Sequence, residues 1–274
     1  MGYQGGTLSA AGGPHWLRVV CAEVGEVGTE GGKLWNGFYA SRTLPASVPR
    51  PTLLHVRDWS AEAYAYRVEL YAFAPDPIVS PRPVLDEGPG LPERWWQEMT
   101  AALGTLADVP PPTDREAVRE EYLRRVIPEY TGHQVDDVTW PTAHGDLHWA
   151  HFTRGPHILD WAGWGSAPYG YDAATLYVYA LLTPEAATRV RTELTPILDR
   201  PEAHTGLPTV CAQVLQAQDR ADFCAELADL VREYLARMEQ PIDLAAQWLR
   251  RFGSGSRGRQ PAELPRRVAA EAGE

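Results

Sequence analysis

HGDLHWAHFTRGPHILDW, residues 144–161, is the stretch on which the reading of this chain turns. It places two acidic residues, Asp146 and Asp160, at the ends of two short apolar runs and crowds His144, His148 and His151 around the first. The runs around Leu147/Phe152 and Ile158-Leu159 flank the turn segment TRGPH, a pattern that predicts a hairpin bringing both carboxylates to one mouth. Two carboxylates so placed can divide a task. One orients and deprotonates a hydroxyl and the other holds a divalent cation, which is the division phosphoryl transfer asks for.

Working outward, the N-terminal third reads as strands. Residues 1–13 are Gly-rich, either a flexible lead or a Gly-containing hairpin, and HWLRVVCAEV (15–24) is β-branched and apolar. EGGKLWNGFYASRTLP (30–45) predicts a helix, and PTLLHVRDW (51–59) and AYRVELYAFAP (65–75) predict two further strands. DPIVSPRPVLDEGPGLP (76–92) is Pro/Gly-rich and reads as a connector. Beyond it the pattern turns helical. Trp95, Trp96, Met99, Leu103 and Leu106 form one stripe, and a second helix is expected to start after a Thr113-Asp114 cap. Residues 139–170 lack helical period. Helices are then expected in YDAATLYVYALLT, in EAATRVRTELTPILD, in the stretch carrying Phe223, Leu227, Leu230, Tyr234 and Met238, and in DLAAQWLRRF. This divides the chain into a small lobe over 1–75, a helical lobe over 76–252, and a Gly/Ser/Arg-rich disordered tail over 253–274.

Composition narrows the function. The 274 residues carry a net charge of −11, which argues against a nucleic-acid partner, since phosphate backbones need a basic face. Cys21, Cys211 and Cys224 are far apart and lack CxxC spacing, so neither a disulfide framework nor a zinc ribbon is expected. A reducing cytoplasm is the expected home. No basic and apolar leader opens the sequence, and no stretch approaches the roughly 18 apolar residues of a membrane span.

HGDLHWAHF, ILDW and GYDAATLY, in that order and spacing, resemble the signature of the aminoglycoside phosphotransferase and choline kinase-like family. The resemblance covers roughly residues 90–240. It implies an α+β, bilobal protein-kinase-like fold with a strand-rich N-lobe and a larger helical C-lobe. It also implies ATP-dependent (or GTP-dependent) O-phosphorylation of a small hydroxylated molecule, with Mg²⁺ or Mn²⁺. Carried over residue by residue, it makes Asp146 the catalytic base and gives Asp160 to the metal that bridges the nucleotide phosphates. Asp172 would brace the HGD turn by accepting backbone hydrogen bonds, and His144 would pack and position that turn.

Three departures stand beside the match. Where the family has a metal-binding Asn, this chain has His151, an imidazole that suits Mn²⁺ or Zn²⁺ better than Mg²⁺. Lys33 is the only lysine and lies in a Gly-bounded segment, so the phosphate-gripping position on HWLRVV falls to Arg18. The acidic partner expected in the following helix is not evident in LWNGFYAS, and only GGTLSAAGG offers a Gly-rich loop, as if the N-lobe were trimmed. These departures imply a second reading, an impaired pseudokinase that binds without turning over. A third is a kinase-like enzyme acting on a peptide or natural-product intermediate. The histidines admit a rival chemistry too: HxxxHxxH could gather zinc with Asp146 as base, although histidines interleaved with Leu147, Trp149 and Phe152 more often pack.

Overall fold

The computed structural model describes residues 6–27, 35 and 37–239. One compact unit spans Met1–Tyr234, and of a second, Leu235–Glu274, the described residues are the end of a single helix. Lys33, the expected DLAAQWLRRF helix and the 253–274 tail lie outside the described residues.

The N-terminal sequence forms a four-stranded antiparallel sheet in the order β1-β2-β4-β3. Its strands are β1 (Gly6–Gly12), β2 (His15–Glu23), β3 (Leu53–Ala61) and β4 (Tyr64–Ala72). The Gly-rich lead is thus the hairpin of the two alternatives. Its turn at Gly13-Pro14 works because glycine takes φ +56° without cost. Pairing Ser9↔Arg18 and Arg18↔Glu69 lines three polar side chains across one face, with Trp16↔Tyr71 beside them. The same face continues through Val20, Ala22 and Ala65, which form a small apolar cluster with Trp35.

Of the expected 30–45 helix, the described part is a 3-10 turn at Gly37–Tyr39 running into α1 (Ala40–Thr43). Arg67, 5% exposed, clamps this segment to the sheet. Its guanidinium donates to the Trp35 carbonyl at 2.6 Å and to both Asp58 oxygens, and it stacks over Phe38 at 4.1 Å. The charge is buried because every face of it is paired.

The helical part comprises α2 (Glu93–Asp108), α3 (Glu120–Thr131), α4 (Tyr171–Val178), α5 (Pro184–Glu193), α6 (Thr195–Leu198), α7 (Gly206–Ala217) and α8 (Asp222–Glu239). The stripe foreseen on α2 is buried in full. Trp95 and Trp96 meet Trp149 and Phe152 in an aromatic cluster, and the indole N–H groups of Trp95 and Trp149 donate to the carbonyls of Thr153 and Leu176. Each such side chain contributes about 1.5–3 kcal/mol by burial, so this cluster anchors the 144–161 stretch firmly.

The second helix starts at Glu120 and has no side-chain cap, because residues 115–118 are drawn away from Thr113-Asp114 to pair with β6 (Gly165–Ser166). The stretch EAATRVRTELTPILD breaks into α5 and α6 around Leu194, with Pro196 in the first turn of the second piece. The Pro-rich 76–92 connector is no loose hinge. Val79, Ser80, Val84 and Leu85 are buried, and it donates and accepts backbone bonds with residues 149–154.

Candidate active site

The local fold of 144–161 follows from its turn chemistry. Thr142–Ala143 (β5) pairs with β6, and the chain then reverses at Gly145, whose φ is +82°. A Cβ there would stand 2.5 Å from both the Ala117 Cβ and the Gly163 carbonyl oxygen, so only glycine fits. The expected hairpin forms. Phe152 bridges Ile158, Thr153 N–H donates to the His157 carbonyl, and Leu159 N–H donates to the His151 carbonyl. Flanking bonds from Ile158 to the Pro49 carbonyl and from Val79 to the Phe152 carbonyl seat it against the chain entering β3 and leaving β4.

His144 couples the Asp146 turn to this hairpin. Its Nδ1 accepts from Asp146 N–H at 3.3 Å, so its proton sits on Nε2, which donates to the Leu159 carbonyl at 2.9 Å. Burial lowers its pKa to about 3, with the neighbouring His151 adding to the effect, and the ring stays neutral. Asp172, 6% exposed near the start of α4, accepts from His144 N–H at 2.7 Å and Gly145 N–H at 3.0 Å. Burial raises its pKa to about 6 against the pull of those two bonds. It braces the turn.

Asp146 keeps an exposed face beside His151, which lines the cleft. Desolvation by the surrounding walls pushes its pKa up; His151 opposes that push and Asp160 adds to it. Asp160 sits at φ 51°, ψ 71°, in the left-handed region, and its Oδ1 accepts from Ala162 N–H at 3.4 Å. A non-glycine residue there stores about 1–3 kcal/mol, although Asp tolerates it better than most. His151 lies between the two acids. Its Nδ1 donates to the Asp146 carbonyl at 2.8 Å, and its Nε2 stands 3.9 Å from Asp160 Oδ2.

Arg18 faces this pair across a cleft of about 530 Å³, lined also by Ser9, Trp16, Tyr71 and Trp161. Its guanidinium reaches Glu69 at 3.5 Å. Glu69 is fully buried and accepts from the Tyr71 hydroxyl at 2.9 Å; burial raises its pKa, with Arg18 and Tyr71 opposing. Among the described residues, the acid that Arg18 meets is on β4. Arg115, which no sequence motif marks, also acts on this loop. Buried, it donates to the carbonyls of Ala162 and Trp164 and so holds the turn that follows Asp160.

The zinc trio His144-His148-His151 is not what the fold assembles, since both ring nitrogens of His144 are engaged. His148 instead stacks on His151 at 3.6 Å between ring centroids. Burial lowers its pKa to about 4, and His151 adds to this. An unfolded His148 takes up a proton near pH 6.5 whereas the folded one resists until about 4, so folded stability falls as pH drops through that window. In metal-free buffer, His148→Asn should accordingly gain melting temperature relative to the unmodified protein between pH 6.5 and 4. Parallel melting curves over that range would place His148 in a solvated environment.

No protein-family model matches the sequence, and none of the curated proteins does. Among solved structures, a thermostable mutant of aminoglycoside phosphotransferase APH(4)-Ia in complex with ADP and hygromycin B matches 88% of this chain and 93% of its own. The TM-score is 0.55 at 12% identity. A complex of the same enzyme with AMP-PNP and hygromycin B gives 0.55 at 13% identity over the same shares. Choline kinase LicA from Streptococcus pneumoniae matches at 0.45 and 12% identity, over 85% of this chain and 94% of its own. Among the described residues no helix is long and apolar enough to cross a membrane. At such identities the likeness is one of architecture, and it makes the sheet-plus-helical layout of this chain the bilobal protein-kinase-like fold that the aminoglycoside phosphotransferases have.

Proposed function

We propose that the chain is a phosphotransferase that moves the γ-phosphoryl group of ATP or GTP onto a hydroxyl of a small molecule. The observation that carries this reading is the cleft itself. It sets Arg18 and Ser9 on the sheet opposite His151 and Asp160 on the hairpin, with Asp146 beside them. Arg18 would pair with the nucleotide phosphates, and Glu69 and Tyr71 orient it for that. Asp160 and the free Nε2 of His151 fit a divalent cation, whose charge would offset that of the phosphates. Asp146 would orient the acceptor hydroxyl and take its proton, and the upward push that desolvation gives its pKa makes it a stronger proton acceptor.

The imidazole at 151 gives the reading a specific signature. Mg²⁺ demands octahedral oxygen coordination, whereas Mn²⁺ accepts nitrogen more readily. ATP should therefore raise the melting temperature more with Mn²⁺ than with Mg²⁺, and His151→Asn should reverse that order. Absence of any nucleotide-dependent shift at millimolar ATP with either metal would favour a non-catalytic binding protein instead. Equal responses of both variants to both metals would remove His151 from the metal.

A further inference from the structure

We propose that Asp146, His148 and His151 form a nucleotide-independent site for a borderline divalent ion, of which Zn²⁺ and Co²⁺ are the chemical types. One ligand atom from each residue lies within 4.8 Å of the others. Tetrahedral bonds of 2.0–2.1 Å set donors roughly 3.3 Å apart. The gap is closed by rotation of the Asp146 carboxylate, the exposed member, and by turning the His148 ring out of its stack on His151, since an imidazole binds an ion in its own plane and parallel rings aim their lone pairs side by side.

The surroundings prepare the two imidazoles for this role. The Asp146 carbonyl holds the Nδ1 proton of His151, which fixes the tautomer and frees Nε2, as backbone carbonyls do behind metal-bound histidines. His148 has a buried Nδ1 without a hydrogen-bond partner. Both imidazoles are presented from one short 3-10 turn and the residue before it, His148–His151, with their rings adjacent. His144, which sequence spacing offers as the third histidine, is replaced by the Asp146 carboxylate. Two neutral nitrogens and one carboxylate select zinc-like ions over Mg²⁺, and they leave further coordination positions to solvent.

This site shares only His151 with the pair Asp160–His151, adding Asp146 and His148 and leaving out Asp160, and it needs no phosphate. If the phosphotransferase reading holds, the consequence is regulatory: an ion bound here engages the base and shares His151, so zinc silences transfer. The site itself does not depend on that reading.

The test is Co²⁺ titration of untagged, nucleotide-free protein, followed by visible absorption. A saturable spectrum at one equivalent is expected. Replacing a direct ligand should cost at least the roughly tenfold that supporting residues cost, so His148→Asn and Asp146→Asn should each weaken Co²⁺ binding by about tenfold or more. Asp160→Asn should leave it unchanged. Asp146 is exposed, so its variant keeps the test valid if His148→Asn fails to fold. No saturable spectrum up to millimolar Co²⁺ would overturn the site. So would an affinity that follows Asp160 and ignores both His148 and Asp146. Nucleotide binding without Co²⁺ binding would overturn the site alone, and Co²⁺ binding without any nucleotide response would overturn the phosphotransferase reading alone.

Discussion

Asp146→Asn is expected to lower phosphotransfer by about 10²–10⁴-fold, the range that a positioned general base supplies. The substitution keeps the shape and removes the proton acceptor. Because Asp146 presents an exposed face and makes its structural bond through its backbone N–H to His144, the fold should tolerate the change. The measurement is transfer of labelled γ-phosphate to a panel of hydroxylated acceptors, run free of zinc and compared at matched protein folding. Full turnover by Asp146→Asn on any acceptor that the unmodified protein phosphorylates would move the base elsewhere.

Asp172→Ala should act through stability and geometry together. It leaves the buried N–H groups of His144 and Gly145 without their acceptor, and each orphaned donor costs about 1–3 kcal/mol. Some relief comes from no longer burying a carboxylate whose pKa is pushed up to about 6, so the net expectation is about 2–4 kcal/mol. At roughly 2–4 °C per kcal/mol for a domain of this size, the melting temperature should fall by about 5–15 °C. Asp172→Asn, which keeps one oxygen acceptor, should fall by less. Thermal denaturation of the two variants decides it: an unchanged midpoint for Asp172→Ala would mean that water reaches those amides.

What the sequence determined by itself was local and chemical. The turn at Gly145, the hairpin around 153–157 and the stripe on α2 follow from glycine's tolerance of positive φ, from turn residues between apolar runs and from helical period, all properties of neighbours in the chain. The gathering of Asp146, His151 and Asp160 followed from the same hairpin. Tertiary structure decided the rest. Helix α7 is buried nearly all round between α3 and α4, so it carries no amphipathic period to read. On β4, alternation alone would turn Tyr66, Val68 and Leu70 to the core and Arg67 and Glu69 to solvent. The fold buries Arg67 and Glu69 because Asp58, the Trp35 carbonyl, Arg18 and Tyr71 meet them there, partners supplied from other segments. For the same reason spacing alone grouped three histidines, whereas the fold engaged both nitrogens of His144 and put the Asp146 carboxylate beside His148 and His151. A sequence fixes the residue types and their local geometry, and the free energy of burying a polar group depends on what the rest of the chain brings against it.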